Sequence, residues 1–467
     1  MRKPRAGLLA LYVPFYEKIA DLRDEKLAFA ASLAERLAEE AEVFWPGIVV
    51  SVEDAWEAGE LFRHEEVDAV VVAPSLAIFG ALGWAALETL DVPVALWSVQ
   101  PASQLPEQYD IRELIRNSGN LGVEALANTL ARSGRFYKTF FSAEKEEIPP
   151  GLSAFLRVAA VASDLRRATF GRVGSVFPQM TDVQMDAAAW MATLGARVVD
   201  VGPDELTATY RSIEDADVGA RLAEMKSSHA ISNISKDELS RSARLSLALD
   251  RIVTRYGLDG GAFNCHGENC LGNQSIGVTG CYAVSRQTSE GRPFSCTGDL
   301  PTAVALFMTK RLAGAAIYGE LDFVDPAGDF VVIANGGEGD LQAAEGPAEL
   351  VGNENFEGVH GRGASPKMRV RPGPATLLSF TPLDRDRGYR MIAGAGEIVD
   401  REIAGLNVFH QGFRFDGLSA VHAFERWCDA GAVHHLALAP GTWTSELNLL
   451  ARMLKFEFIQ VGSHRET

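Results

Sequence analysis

The first hundred residues alternate unbroken apolar runs with amphipathic stretches, and this alternation limits the possible folds more than any other feature. Residues 7–15 are almost entirely apolar, as in a strand buried on both faces. Residues 17–41 place Ile19, Leu22, Phe29, Leu33 and Leu37 on one helical face, with charges opposite. A helix at 54–63, a strand at 67–73, a helix at 76–90 and a strand at 92–97 follow. Strands separated by helical crossovers run parallel, so the pattern predicts a parallel sheet with helices on both faces. No G-x-G-x-x-G follows the first strand, so nothing points to a dinucleotide there. The same run does not read as a leader peptide. Pro14 interrupts it, and Tyr16-Glu17-Lys18 follows without a small-residue cleavage site.

Further along, residues 100–120 read as a polar loop, 119–133 as a helix, 136–141 as a strand and 152–169 as a helix, with the Pro149-Pro150 joint between the last two. The alternation then restarts: strand 171–177, helix 182–194, strand 196–201. Ser235-x-x-Glu238 is a capping box that opens a helix closed by Gly257, and a strand follows at 261–264. Beyond residue 325 glycine and proline become frequent. Short alternating stretches at 368–371, 375–381, 389–395 and 407–413 predict an antiparallel, barrel-like β unit. Two late helices, 418–430 and 445–454, flank an apolar run at 432–438. A chain of 467 residues exceeds one core. The expected domains are 1–165, 166–322 and 323–467.

Charge and cysteine content narrow the partners. The net charge of −18 disfavours nucleic acid and anionic membranes as partners. No apolar run reaches the length of a membrane helix. Five cysteines, an odd number in a long chain, suggest reduced thiols and a cytoplasmic protein. Cys265 and Cys270 stand C-x4-C with no second pair, which argues against a structural zinc site.

The chemistry concentrates in residues 262–340, where polar groups interrupt apolar runs: Cys265, His266, Glu268, Thr297, Asp299, Glu320, Asp325, Asn335 and Glu338. They fall where strands end, and ligands of open α/β sheets bind at the carboxyl ends of strands. Each also has a plainer role open to it. Asp299 can cap the helix that starts there, and Cys265 and Cys296 can be small core groups. Arg362 and Lys367 can be solvated, or can hold an anionic group.

Several segments, in order, resemble the L-arabinose/L-fucose isomerase superfamily. They are GRVGSVFPQMTDVQMDAAAWMATLGARVVDV at 171–201, SEGRPFSCTGDLPT at 289–302, GELDFVDPAGDFVVIANGGEG at 319–339, HGRGASPKMRVRPGPATLLSFTPLDRDRGYRMIAGAG at 360–396 and AGAVHHL at 430–436. The resemblance implies two consecutive Rossmann-like parallel-sheet domains followed by a β-rich, barrel-like domain. It implies a homo-oligomer, trimer or hexamer, with a cleft shared between subunits. It also implies aldose–ketose isomerisation of an open-chain pentose, deoxyhexose or derivative through an enediol. In that chemistry a divalent cation, usually Mn²⁺, polarises the sugar oxygens while a carboxylate moves the proton.

Carried over residue by residue, the resemblance implies catalytic roles for Glu320, Asp299 and Thr297. It implies metal ligation by Glu320 and His435, and substrate contacts are expected from Asn335, His434, His360 and Glu268, the last, in its Cys-His-Gly-Glu-Asn loop, also a candidate to replace the missing carboxylate. Two positions depart from the pattern: Thr297 stands where the family has a carboxylate, and Asn335 where arabinose isomerases have a further histidine. A weakened metal site is expected, and a lyase, an epimerase or a non-catalytic sugar-binding protein remain the alternatives. Of His434 and His435, strand alternation is expected to turn only one into any site.

Overall fold

In the computed structural model, which describes residues 2–143, 147–353, 363–383, 388–401, 403, 405 and 408–462, the chain divides into two units, Met1–Ser163 and Asp164–Thr467. The division falls inside the helix Pro150–Arg167. His360 and Arg362 lie outside the described residues.

In the first unit the apolar runs become β1 (Arg5–Leu11), β2 (Glu42–Phe44), β3 (Ile48–Val49), β4 (Ala69–Pro74), β5 (Val94–Gln100) and β6 (Tyr137–Ala143). Their order is β2-β1-β4-β5-β6, with β3 also on β1, and every pairing is parallel. Leu8, Leu9 and Leu11 are wholly buried, as a central strand covered on both faces requires. The stretch expected to be a loop, 100–120, contains a helix, Ile111–Arg116. Asp110 starts it by accepting from Glu113 N at 2.9 Å.

The second unit carries a second parallel sheet and a β-rich sheet. In chain order its strands are β7 (Thr169–Val173), β8 (Arg197–Val201), β9 (Ile231–Ser232), β10 (Gly260–Phe263), β11 (Phe294–Ser295), β12 (Ile317–Asp325), β13 (Phe330–Ala334), β14 (Glu349–Gly352), β15 (Ala364–Lys367), β16 (Gly373–Pro382), β17 (Tyr389–Val399), β18 (His410–Phe415), β19 (His435–Pro440) and β20 (Glu457–Val461). The parallel sheet runs β11-β10-β7-β8. The capping box holds as expected: Glu238 N donates to Ser235 Oγ at 3.1 Å, and Ser235 N to Glu238 Oε2 at 3.0 Å. The helix it opens, Lys236–Tyr256, ends at Gly257 with φ +60°. Its buried face includes Leu239, Leu245, Leu249, Ile252 and Val253, each worth about 1.5–3 kcal/mol of burial.

The β-rich sheet follows the path β16-β19-β12-β13-β18-β17-β20, and an added β16–β17 pairing closes the first six strands on themselves. All of its pairings are antiparallel except β17–β20. Strand β12 pairs with β13 and β19, so the expected boundary at residue 322 falls inside a strand of this sheet. A small sheet, β15-β14-β9, completes the unit.

Candidate active site

Strands β7, β10 and β11 end beside one another, and the chain leaving them turns toward β12 and β19. A cavity of about 430 Å³ lies there. Its wall includes Phe177 after β7, Cys265 and His266 after β10, and Cys296 and Thr297 after β11. The opposite wall includes Tyr318, Glu320 and His435 from the closed sheet. A cavity at the carboxyl ends of parallel strands is where an open α/β sheet takes its ligands.

Strand register builds the central pair. Glu320 on β12 sits directly opposite His435 on β19, and opposed residues of an antiparallel pair bring their side chains together on one face. Tyr318 shares that face, being two residues from Glu320. Glu320 Oε1 is 3.5 Å from His435 Nε2 and accepts from the Tyr318 hydroxyl at 3.3 Å. Behind the histidine, Asp299 Oδ2 accepts from His435 Nδ1 at 2.7 Å, with both side chains buried. Burial alone would lower the His435 pKa. The Asp299 hydrogen bond and charge, with Glu320 and Asp182, outweigh it and raise the pKa above the usual histidine value. Asp299 also does the plainer job, since its Oδ1 accepts from Thr302 N at 2.9 Å and starts the helix Leu300–Ala313. One carboxylate therefore anchors both a helix and an imidazole, fixing which ring nitrogen faces the cavity.

Thr297 lies at the β11 tip with φ +53°. A β-branched residue there is strained, and such strain gathers at functional sites. Its buried Oγ1 has no partner, and neither have Thr279 Oγ1, Glu338 Oε2 and Asn353 Oδ1. All four residues line the cavity and are at most 5% exposed. Buried polar atoms are nearly always paired, and four without a protein partner line this one cavity. No lysine or arginine lines the cavity among the described residues.

The other expected site residues fall as follows. His434 does line the cavity together with His435, their ring centroids 3.8 Å apart. The alternation rule fails because β19 begins at His435, leaving His434 outside the strand pleat, where its Nδ1 meets Asp182. Glu268 is exposed and does not line the cavity. Asn335 is buried behind the wall: its Nδ2 donates to Tyr318 O at 2.6 Å and Glu338 O at 2.9 Å, and its Oδ1 accepts from Gly337 N at 2.8 Å. Thr279 and Asn353 are what sequence reasoning missed, and Glu338 was singled out there but given no role. Burial without a partner has no signature in a single sequence.

The expected manganese ion does not fit these residues. Among the described residues no three or more His, Cys, Asp or Glu gather as a metal would need. Glu320 and His435 alone fall short of the usual ligand count, Thr297 adds only a neutral hydroxyl, and the Asn335 amide is already engaged. The described cysteines are all free thiols. No helix among the described residues is long and apolar enough to cross a membrane.

No family model matches the chain. L-arabinose isomerases from Yersinia pseudotuberculosis serotype O:1b (strain IP 31758) and Yersinia pestis (strain Pestoides F) align with it over 336 residues at 23% identity. The alignment covers 68% of this chain and 65% of theirs, so the chain spans less than two thirds of the length of these relatives. Among solved structures, a periplasmic solute-binding protein of Actinobacillus succinogenes 130z with bound D-allose overlaps 66% of this chain and 90% of its own, at 12% identity and a TM-score of 0.17. A solute-binding protein of an ABC transporter from Burkholderia multivorans overlaps 65% of this chain and 93% of its own, at 14% identity and a TM-score of 0.16. No shared fold is read from scores this low.

Proposed function

We propose that the protein is a sugar isomerase of the arabinose/fucose isomerase kind, interconverting an open-chain, uncharged aldose and its ketose. The observation that carries this reading is the Glu320–His435 pair, backed by Asp299, at a cavity edged by four unpaired buried polar atoms. Distant similarity to L-arabinose isomerases supports it. Glu320 is the base that takes the proton from the carbon beside the carbonyl. His435, whose protonated form the Asp299 hydrogen bond and charge favour, offsets the negative charge that builds as that proton leaves. Thr279, Thr297 and Asn353 hold sugar hydroxyls, and among the described residues no lysine or arginine lines the cavity to pair with a phosphate.

In this reading the parallel sheet and the closed sheet of the second unit act as two domains meeting at the cavity. Residence in the cytoplasm and homo-oligomerisation belong to the same proposal. A lyase or an epimerase shares the first proton transfer, so product identity separates the readings. The purified protein, incubated with unphosphorylated pentoses and 6-deoxyhexoses, is expected to form the matching ketose by NMR, and Glu320→Gln to form none. Cleavage products, or an epimeric aldose without ketose, would replace the isomerase reading.

A further inference from the structure

One acidic side chain on the cavity wall is left unused by the reaction just described. Glu338 follows β13 through Gly336 and Gly337, is 5% exposed, and presents Oε2 without a hydrogen-bond partner. The backbone is built to hold it there. Asn335 clamps Glu338 O and Tyr318 O with its two amide hydrogens. Gly337 has φ +128°, and a Cβ on it would lie 2.3 Å from Ser365 Oγ and 2.5 Å from Asn353 Nδ2, so no side chain fits at that turn. Beyond Glu338, Gly339 N donates to Ser285 Oγ at 2.9 Å. The titratable groups facing Glu338 are Cys265, Cys281, Cys296, His266, Glu320 and Tyr318. Burial raises its pKa most and the charge of Glu320 adds to this, against the Cys296 hydrogen bond and the nearby His266, which lower it. The net shift is upward, toward the protonated carboxyl, which can donate a proton as an ionised one cannot.

We propose that Glu338 is a catalytic acid: its Oε2 proton passes to the substrate carbonyl oxygen while Glu320 takes the proton from the adjacent carbon. The C–H bond breaks toward Glu320, the carbonyl π pair becomes an O–H bond, and an enediol results. In the second half Glu320, its proton exchanged with solvent, delivers a proton to the former carbonyl carbon, and the hydroxyl on the other carbon returns a proton to Glu338. Nothing is oxidised or reduced overall, and both carboxyls end as they began. The inference rests on the isomerase reading. It supplies the polarisation of the carbonyl oxygen that the side chains gathered here do not provide through a metal shell.

The test uses the whole chain and two variants. Glu338→Gln keeps a hydrogen-bond donor but has no proton to transfer, whereas Glu338→Leu removes both. Expected for Glu338→Gln is a kcat lower by about 10²–10⁴-fold with KM changed only a few-fold, and loss of the alkaline limb of the kcat profile. Glu338→Leu should raise KM as well. Independently of turnover, infrared difference spectra of the wild type against Glu338→Gln should show one protonated-carboxyl stretch at neutral pH, shifted in D₂O and missing from the variant. Wild-type turnover by a folded Glu338→Gln, or no such band, overturns the proposal. If the wild type turns over no sugar, the isomerase reading fails and takes the catalytic step with it. The infrared band then still reports whether Glu338 is a buried neutral acid.

Discussion

Replacing Asp299 by asparagine removes one of its two functions and keeps the other. The amide oxygen can still accept from Thr302 N, as Oδ1 does at 2.9 Å. The amide nitrogen then faces His435 Nδ1, which now donates to Oδ2 at 2.7 Å. Donor would meet donor, so the ring must give up its Nδ1 proton and carry it on Nε2, and the imidazolium loses its counter-charge. A buried charge-assisted hydrogen bond contributes about 1.5–3 kcal/mol, so Asp299→Asn should destabilise by about that amount. Asp299→Ala also loses the cap, adding about 1 kcal/mol.

The pH dependence has a definite sign. The His435 pKa is raised in the folded protein above its ordinary 6.5. Its stabilisation is therefore complete below that value and is lost as pH rises through the folded pKa. The gap between wild type and Asp299→Asn should be widest in acid, below pH ~6.5, and should narrow as pH rises above that value. Urea unfolding across that range measures it, and solvent exchange at the sugar carbon should fall by about 10²–10⁴-fold. Equal stability at every pH, or an unchanged exchange rate, would refute the role given to Asp299.

Three further outcomes follow from single contacts. Thr297→Gly should relieve the φ +53° backbone and raise stability by about 1 kcal/mol in thermal melts, while sugar affinity falls with the loss of Oγ1. Asn335→Ala should cost about 2–4 kcal/mol in urea unfolding, because Tyr318 O and Glu338 O lose their donors inside the protein. Lys310→Met should cost about 3–5 kcal/mol by leaving Asp340 buried without the ammonium 2.6 Å away, and Lys310→Met with Asp340→Leu should recover part of that loss.

The parallel sheets were legible because strands buried on both faces are written as unbroken apolar runs, and the Ser235–Glu238 cap because it is local. The helix Ile111–Arg116 was not legible, since six residues carry less than two turns of periodicity. The same limit hid β2 and β3. The site was legible in part. Glu320 and His435 stood out as polar residues in apolar strands, but only register shows that they face each other. Asp299 and His435 are 136 residues apart, and nothing local joins them. Sequence position suggested that Asn335 meets substrate, whereas its amide is spent holding backbone. Glu338 was visible as an acid after two glycines, but its unpaired oxygen depends on what the fold withholds from it.

The central claim is that Glu320, with His435 beside it, moves a proton at a sugar carbon beside a carbonyl. NMR of unphosphorylated pentoses and 6-deoxyhexoses incubated with the protein in D₂O tests it most directly. The account predicts deuterium entering at C2 of at least one sugar, with the rate lost in Glu320→Gln and strongly reduced in Asp299→Asn. No deuterium in any sugar with the wild type, or incorporation that Glu320→Gln leaves unchanged, would contradict it.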